Sequence, residues 1–286
     1  MLVSYADIIK KAHEGKYAVG AFNSLSVENI LGAIAAAEEL NAPIILQLAE
    51  VQFPTAPLHI MAPLFIAAAK SAKVPVAVHL DHGNSFETCE AAARLGFTGV
   101  MFDGACLPME ENIRISKRVA EMAKAYGIGC EAELGRVGDT GEGGGEGTGD
   151  ASTADVFTDV EESAYFVEQT GIDALAIAIG NLHGNYVATP KLNITRMIEI
   201  SERNNLPLVL HGGTGTSDED FKSCVRNGIC KVNVATAIQM KAMSAVQKYL
   251  QNPKRSYEGM KTAVINATKE VVTHHILLFE SNGKAL

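Results

Sequence analysis

The chain has 286 residues, 47% of them hydrophobic and 20% charged, with no tryptophan, a composition that builds a large core and excludes a disordered protein. A formal charge of −9 and the lack of any basic stripe argue against nucleic acid, whose phosphate backbone is held by clustered Lys and Arg. The opening MLVSYADIIKK lacks the features of a signal peptide and no apolar run reaches membrane-spanning length, so a cytoplasmic protein without a membrane or nucleic-acid partner is expected.

In chain order, short apolar runs bounded by turn residues predict strands at 16–22, 43–48, 75–80, 98–102, 128–134, 172–179, 206–210 and 229–234. Between them lie segments such as VENILGAIAAAEEL, ETCEAAARLG, ENIRISKRVAEMAKAYG and LNITRMIEISERNN, whose apolar residues recur at three-to-four spacing and predict helices. The strands are apolar throughout rather than alternating, which indicates parallel strands covered on both sides. The expected fold is therefore α/β, a (β/α)8 TIM barrel occupying residues 1–286 as one domain, with a helical C-terminal extension over about 251–286. An open doubly wound sheet is the alternative. Five cysteines, Cys89, Cys106, Cys130, Cys224 and Cys230, form no CxxC pair and read as small hydrophobes in a reducing compartment.

The polar residues favour the barrel, because barrel enzymes carry their sites at the strand C-termini. Asn23 follows the first strand, Asp81 and His82 end the third, Asp103 ends the fourth, and Glu131 and Glu133 lie in the fifth. His183 follows the sixth, His211 closes the seventh, and Asn233 with Thr236 marks the end of the eighth. After the fifth strand, the glycine-rich stretch GRVGDTGEGGGEGTG at 135–149 reads as a lid or metal-responsive loop, or as a plain surface insertion.

His82, His183 and His211 each precede a glycine, and three imidazoles would leave a zinc ion an open position for substrate. His79, on the same strand face as Asp81, reads as interior packing or support, while His13, His59, His274 and His275 lie in helical segments. Asp103, Glu131 and Glu133 admit three readings: a second cation site with Asp103 and Glu133 as ligands, an outer shell around the histidines, or pairing with Lys231. Lys231 is the one candidate Schiff-base lysine, but it lies mid-strand. The glycine-rich turn Gly212-Gly213-Thr214-Gly215-Thr216 and the segment Asn233-Val234-Ala235-Thr236 both open helices after the last two strands, the usual phosphate site of such a barrel.

These motifs, HLDHG, EAELG, AIGNLHGNY, LPLVLHGGTG, KVNVAT and a closing SNGKA, resemble the class II ketose-bisphosphate aldolases over essentially the whole chain. The resemblance implies Zn2+ on His82, His183 and His211, with dihydroxyacetone phosphate held by Gly184, by Gly212, Gly213 and Thr214, and by Asn233, Val234, Ala235 and Thr236. It implies Asp81 as the acid/base for the aldehyde-derived hydroxyl and a zinc-stabilised enediolate. Asn23 is expected to bind substrate, and a monovalent cation, Na+ or K+, is an expected companion of the zinc. The family places a proton-shuttling glutamate in the loop after the fifth strand. Glu142 falls nearest that position, one residue late, with Glu146 the alternative.

Ala235 stands where fructose-bisphosphate enzymes tend to carry Asp or Asn and tagatose-bisphosphate enzymes Ala. Ala49 stands near a serine of the fructose-specific branch. Both turn the expectation toward tagatose 1,6-bisphosphate or a related phosphorylated ketose, over fructose 1,6-bisphosphate. The expected partner is a small phosphorylated sugar, and the expected assembly a homodimer or homotetramer. A noncatalytic sugar-phosphate-binding barrel and a zinc hydrolase are the rival readings. Adjacent Asp81 and His82 can share one site only if the third strand curls where it ends.

Overall fold

A computed structural model describes residues 1–135, 137–139, 157–183 and 191–285, with only the backbone described at 138, 139, 182 and 183. Its eight barrel strands are β1 (Val19–Asn23), β2 (Ile44–Ala49), β3 (Val76–Gly83), β4 (Gly99–Phe102), β5 (Gly129–Leu134), β6 (Ala174–Ile177), β7 (Leu208–Leu210) and β8 (Ile229–Val234). They pair in parallel and close in the order β1-β8-β7-β6-β5-β4-β3-β2, which rules out the open sheet. A parallel barrel forms because every strand can bury both faces, one against helices and one inside the lumen.

The helices are α1 (Tyr5–Gly15), α2 (Val27–Glu39), α3 (Leu58–Ser71), α4 (Phe86–Arg94), α5 (Met109–Tyr126), α6 (Val160–Thr170), α7 (Ile194–Asn204), α8 (Asp218–Arg226), α9 (Thr236–Leu250) and α10 (Tyr257–Leu278). Ser26, Ser85, Asp159, Asn193, Ser217 and Ser256 start six of them by accepting a first-turn amide on the side chain. The other four, α1, α3, α5 and α9, have no side-chain cap; the N-cap of α9 is Ala235, whose methyl group cannot accept from those amides.

The predicted 172–179 strand is shorter in the barrel, because Asn181 Oδ1 takes the amide of Ile179 at 2.8 Å and turns the chain. The C-terminal extension is mainly α10, which lies against α2. Asn29 Nδ2 donates to Thr268 Oγ1 at 3.0 Å, and a Cβ on Gly32 would sit 2.6 Å from the Ile265 carbonyl oxygen, so glycine permits the close approach.

Alternation along the strands separates two environments. Outward residues such as Leu46, Val78, Val100, Ala132, Ile177 and Val232 join an apolar layer under the helices. Inward residues at the N-terminal end of the lumen, including Val19, Ala21, Ile45, Ala77, Ala174 and Val209, pack with Tyr5, Ile8 and Ile9 of α1, which plugs that end. Further along the same inward face come His79 and Asp81, Glu131 and Glu133, and Lys231 and Asn233, all buried. Four of the cysteines are buried and Cys106 is exposed, all as free thiols.

Candidate active site

β3 brings two adjacent residues into one site by breaking its own regularity. His82 has φ +42, in the left-handed region that is costly for a side-chain-bearing residue, and the register with β4 shifts between Leu80 and Gly83. The strand curls there, so Asp81 and His82 share the C-terminal mouth, with Asp81 Oδ1 lying 3.9 Å from His82 Nε2.

Three amides grip Asp81, which is fully buried. Asn233 Nδ2 donates to Oδ1 at 2.9 Å, while Asn23 Nδ2 and Gln47 Nε2 donate to Oδ2 at 3.1 and 3.3 Å. Gln47 also donates to Asn23 Oδ1 at 2.7 Å, which fixes both amides. Burial would raise the Asp81 pKa, but His82, Lys231, His211 and the Asn23 bond outweigh it and lower it, keeping the carboxylate ionised. Sequence reasoning missed Gln47. The signal was one amide inside the apolar run PIILQL, in register with Asn23 on one side and His79 on the other.

His82 Nδ1 lies 2.7 Å from Asp103 Oδ2. His211 Nε2 lies 2.8 Å from Glu131 Oε1, and its Nδ1 lies 3.1 Å from Glu133 Oε2. The two rings meet edge to face, with centroids 4.6 Å apart. Burial alone would lower His211, yet its bonds to Glu131 and Glu133 raise it to about 9, and His82 is raised well above its ordinary value against the same burial by Asp81 and Asp103. Asp103, despite burial, is drawn down to about 2 by its bond to His82. Glu133 moves up, from burial and then from the neighbouring Asp103.

This donor set suits a divalent cation. Asp81, His82 and His211 each offer a ligand atom within 4.8 Å of the others, and so do His82, Asp103 and Glu133. Lys231 is the only lysine or arginine among the buried described residues, set against Asp81, Glu131 and Glu133. Clustered carboxylates and imidazoles with so little fixed positive charge are the chemistry of a metal centre. The three sequence readings of the acidic residues thus divide: Glu131 pairs with Lys231 and His211, whereas Asp103 and Glu133 abut the histidines that could share a metal with them.

The remaining sequence-predicted residues fall into three groups. Gly212 and Gly213, at φ +61 and +140, turn the chain after β7, and a Cβ on Gly213 would lie 2.9 Å from Phe221 Cζ. In the same turn Thr214 is half-buried, and Thr216 Oγ1 is buried without a hydrogen bond. After β8, Val234 sends its side chain into the outer apolar layer, leaving its backbone for the site, while Ala235 and Thr236 are buried at the start of α9. His183 contributes backbone to a two-residue strand, Leu182–His183, paired in parallel with Gly138–Asp139 at the rim. Gly184, Glu142 and Glu146 lie outside the described residues.

Comparison with known proteins covers the same span. A family model described as fructose-bisphosphate aldolase class-II matches residues 3–284. A fructose-bisphosphate aldolase of Staphylococcus aureus (strain Mu50 / ATCC 700699) is 38% identical over 300 residues, spanning 99% of each chain. One from Geobacillus stearothermophilus is 39% identical over 292 residues, again with 99% of each covered. Among solved structures, the YdjI aldolase from Escherichia coli K12 superposes with a TM-score of 0.90 at 34% identity, covering 100% of both chains.

Proposed function

The chain belongs to the class II fructose-bisphosphate aldolase family, and on that premise we propose that it cleaves tagatose 1,6-bisphosphate, or a related phosphorylated ketose, to dihydroxyacetone phosphate and an aldehyde. Family membership makes it a carbon–carbon lyase and sets aside the noncatalytic and hydrolase readings. The observation that carries the proposal is the amide clamp on Asp81 beside His82 and His211.

His82, His183 and His211 would hold zinc, with Asp103 and Glu133 available to a second cation position. Zinc supplies a Lewis acid that polarises the substrate ketone and stabilises the negative charge developing there during cleavage. Asp81, held ionised and with acceptor capacity left beyond its three amide bonds, takes the proton from the hydroxyl on the carbon that becomes the aldehyde. Asn233 and Asn23 keep that carboxylate in one orientation and line the substrate beside it. Glu142, with Glu146 the alternative, returns a proton to the ketone fragment.

The fragment's phosphate sits between the backbone amides of Gly212, Gly213 and Thr214 and the opening turn of α9, and the family resemblance adds Gly184 to this set. β7 and β8 are neighbours, so both turns open on one side. The missing side-chain cap at Ala235 supports this placement, because unsatisfied first-turn amides attract an anion. An acidic chain can thereby bind a phosphate dianion without a basic cluster.

Ala235 and Ala49 favour the tagatose ester. The second reading, fructose 1,6-bisphosphate, is favoured by the chain's similarity to the fructose-bisphosphate aldolases of Staphylococcus aureus and Geobacillus stearothermophilus. Coupled assays with both esters on zinc-loaded enzyme separate them. The tagatose reading expects a kcat/KM advantage of about tenfold or more, the range a pocket achieves on small substrate differences. A reversed ratio assigns fructose 1,6-bisphosphate, cleavage of neither refutes both, and activity that survives chelation refutes the metal.

A further inference from the structure

His211, the residue that follows β7, is tied to the opposite end of the barrel. Tyr5 belongs to α1, the helix that plugs the N-terminal end of the lumen, and its backbone amide donates to Thr98 O at 3.0 Å just before β4. The ring is fully buried, stacked on His79 with centroids 4.5 Å apart. Room for it comes from glycine: a Cβ on Gly129 of β5 would lie 2.7 Å from Tyr5 Cδ1. At the far tip of the ring, the Tyr5 hydroxyl donates to Glu131 Oε2.

Glu131 receives more than this one bond. Lys231 Nζ donates to both its oxygens, at 3.2 and 2.9 Å, and the His211 Nε2 contact at 2.8 Å completes the set. With Tyr5 and Lys231 both donating, Glu131 is an acceptor throughout, so His211 Nε2 carries the hydrogen in that contact. Nδ1 is then the nitrogen that turns toward Glu133 and the metal donors. A ligating histidine whose second nitrogen is held by a carboxylate has its tautomer and ring plane fixed.

We propose that Tyr5 and Lys231 are positioning residues for the aldolase metal centre: from the barrel floor they lock the Glu131 carboxylate, which orients His211 to present Nδ1 to the metal. The proposal rests on the reading that His211 is a zinc ligand. The mid-strand lysine therefore acts as a fixed cation under the site, not as a nucleophile, and the plug helix contributes to the centre as well as sealing the lumen.

Tyr5→Phe tests this with the least disturbance, since it keeps the ring, its stacking and its fit against Gly129 while deleting the one hydroxyl. Zinc affinity is measured by competition with a chromophoric chelator, and the ligand field by the visible spectrum of the Co2+-loaded protein. Tyr5→Phe is expected to weaken zinc about tenfold and shift the Co2+ bands, with Lys231→Met nearer a hundredfold, the range seen when carboxylate support of a ligand is lost. His211→Ala is the control on the underlying reading: a wild-type metal affinity in that variant refutes His211 as a ligand. If His211→Ala loses metal but Tyr5→Phe keeps both wild-type affinity and the wild-type Co2+ spectrum, the role of Tyr5 is overturned. Should Lys231→Met fold poorly, Tyr5→Phe decides alone.

Discussion

Along β5 the outward side chains Cys130, Ala132 and Leu134 enter the apolar layer under the helices, while the inward Glu131 and Glu133 meet His211. β8 repeats the division, with Val232 and Val234 outward and Lys231 and Asn233 inward. One face of each strand is held by non-directional burial, which tolerates exchange between apolar residues of similar size. The other is held by directed bonds between buried charged and polar groups, where removing one partner strands the rest. The same short strands thus carry the wall of the fold on one side and the positioning of the chemistry on the other.

The sharpest way to break this comparison is to remove one lumen charge. Lys231→Met leaves Glu131 buried without its cation and is expected to cost about 3–5 kcal/mol in urea unfolding of the metal-free protein. A loss below about 1 kcal/mol would show that the lumen tolerates substitution as the outer layer does.

The lumen should also impose a pH dependence that the outer layer cannot. Burial, followed by the nearby Lys231, holds His79 down to about 3, far below an ordinary histidine. Between about pH 6.5 and 3 the unfolded chain takes up a proton there that the folded chain refuses, so stability falls as pH falls, by at most about 1.4 kcal/mol per pH unit. His82 and His211 are shifted upward and stabilise in the opposite sense, their contribution being lost as pH rises, for His211 through about 9. Comparing His79→Leu with wild type isolates the His79 contribution: the variant should show a shallower acid slope. An unchanged slope would remove His79 as its source.

On the outward face of the strands the expected effect is smallest. Ile177→Val deletes one methylene from the fully buried outer layer and should cost about 1 kcal/mol, with kcat/KM of the folded protein unchanged. A large loss of activity would mean that the two faces are not separable.

What the sequence made legible follows the same division. Apolar runs locate all eight strands because outward burial leaves a local, periodic signal, and the polar residues at their ends mark the mouth of the barrel. Asp81, His82 and His211 are found together because each sits at a strand end beside a residue that permits a turn. The curl that lets Asp81 and His82 share a site is conditional in the sequence and becomes definite only with the left-handed backbone of His82. Gln47 and Tyr5 went unrecognised: Tyr5 meets Glu131 across 126 residues of chain, and no local pattern in MLVSYADIIKK distinguishes a plug-helix tyrosine that reaches a carboxylate from one that merely packs. The ambiguity over Asp103, Glu131 and Glu133 had the same origin, since strand alternation places all three inward and only closure of the barrel decides which meets Lys231.

The central claim is that the metal side and the Asp81 side of the mouth perform separate proton steps. Hydrogen exchange from dihydroxyacetone phosphate in the absence of aldehyde, measured in zinc-loaded Asp81→Asn beside wild type, tests it directly. The account predicts that exchange persists within about tenfold of wild type while ketose cleavage falls by about 10²–10⁴, the usual worth of a positioned acid/base. Loss of both with zinc still bound, or cleavage retained at the wild-type rate, would contradict it.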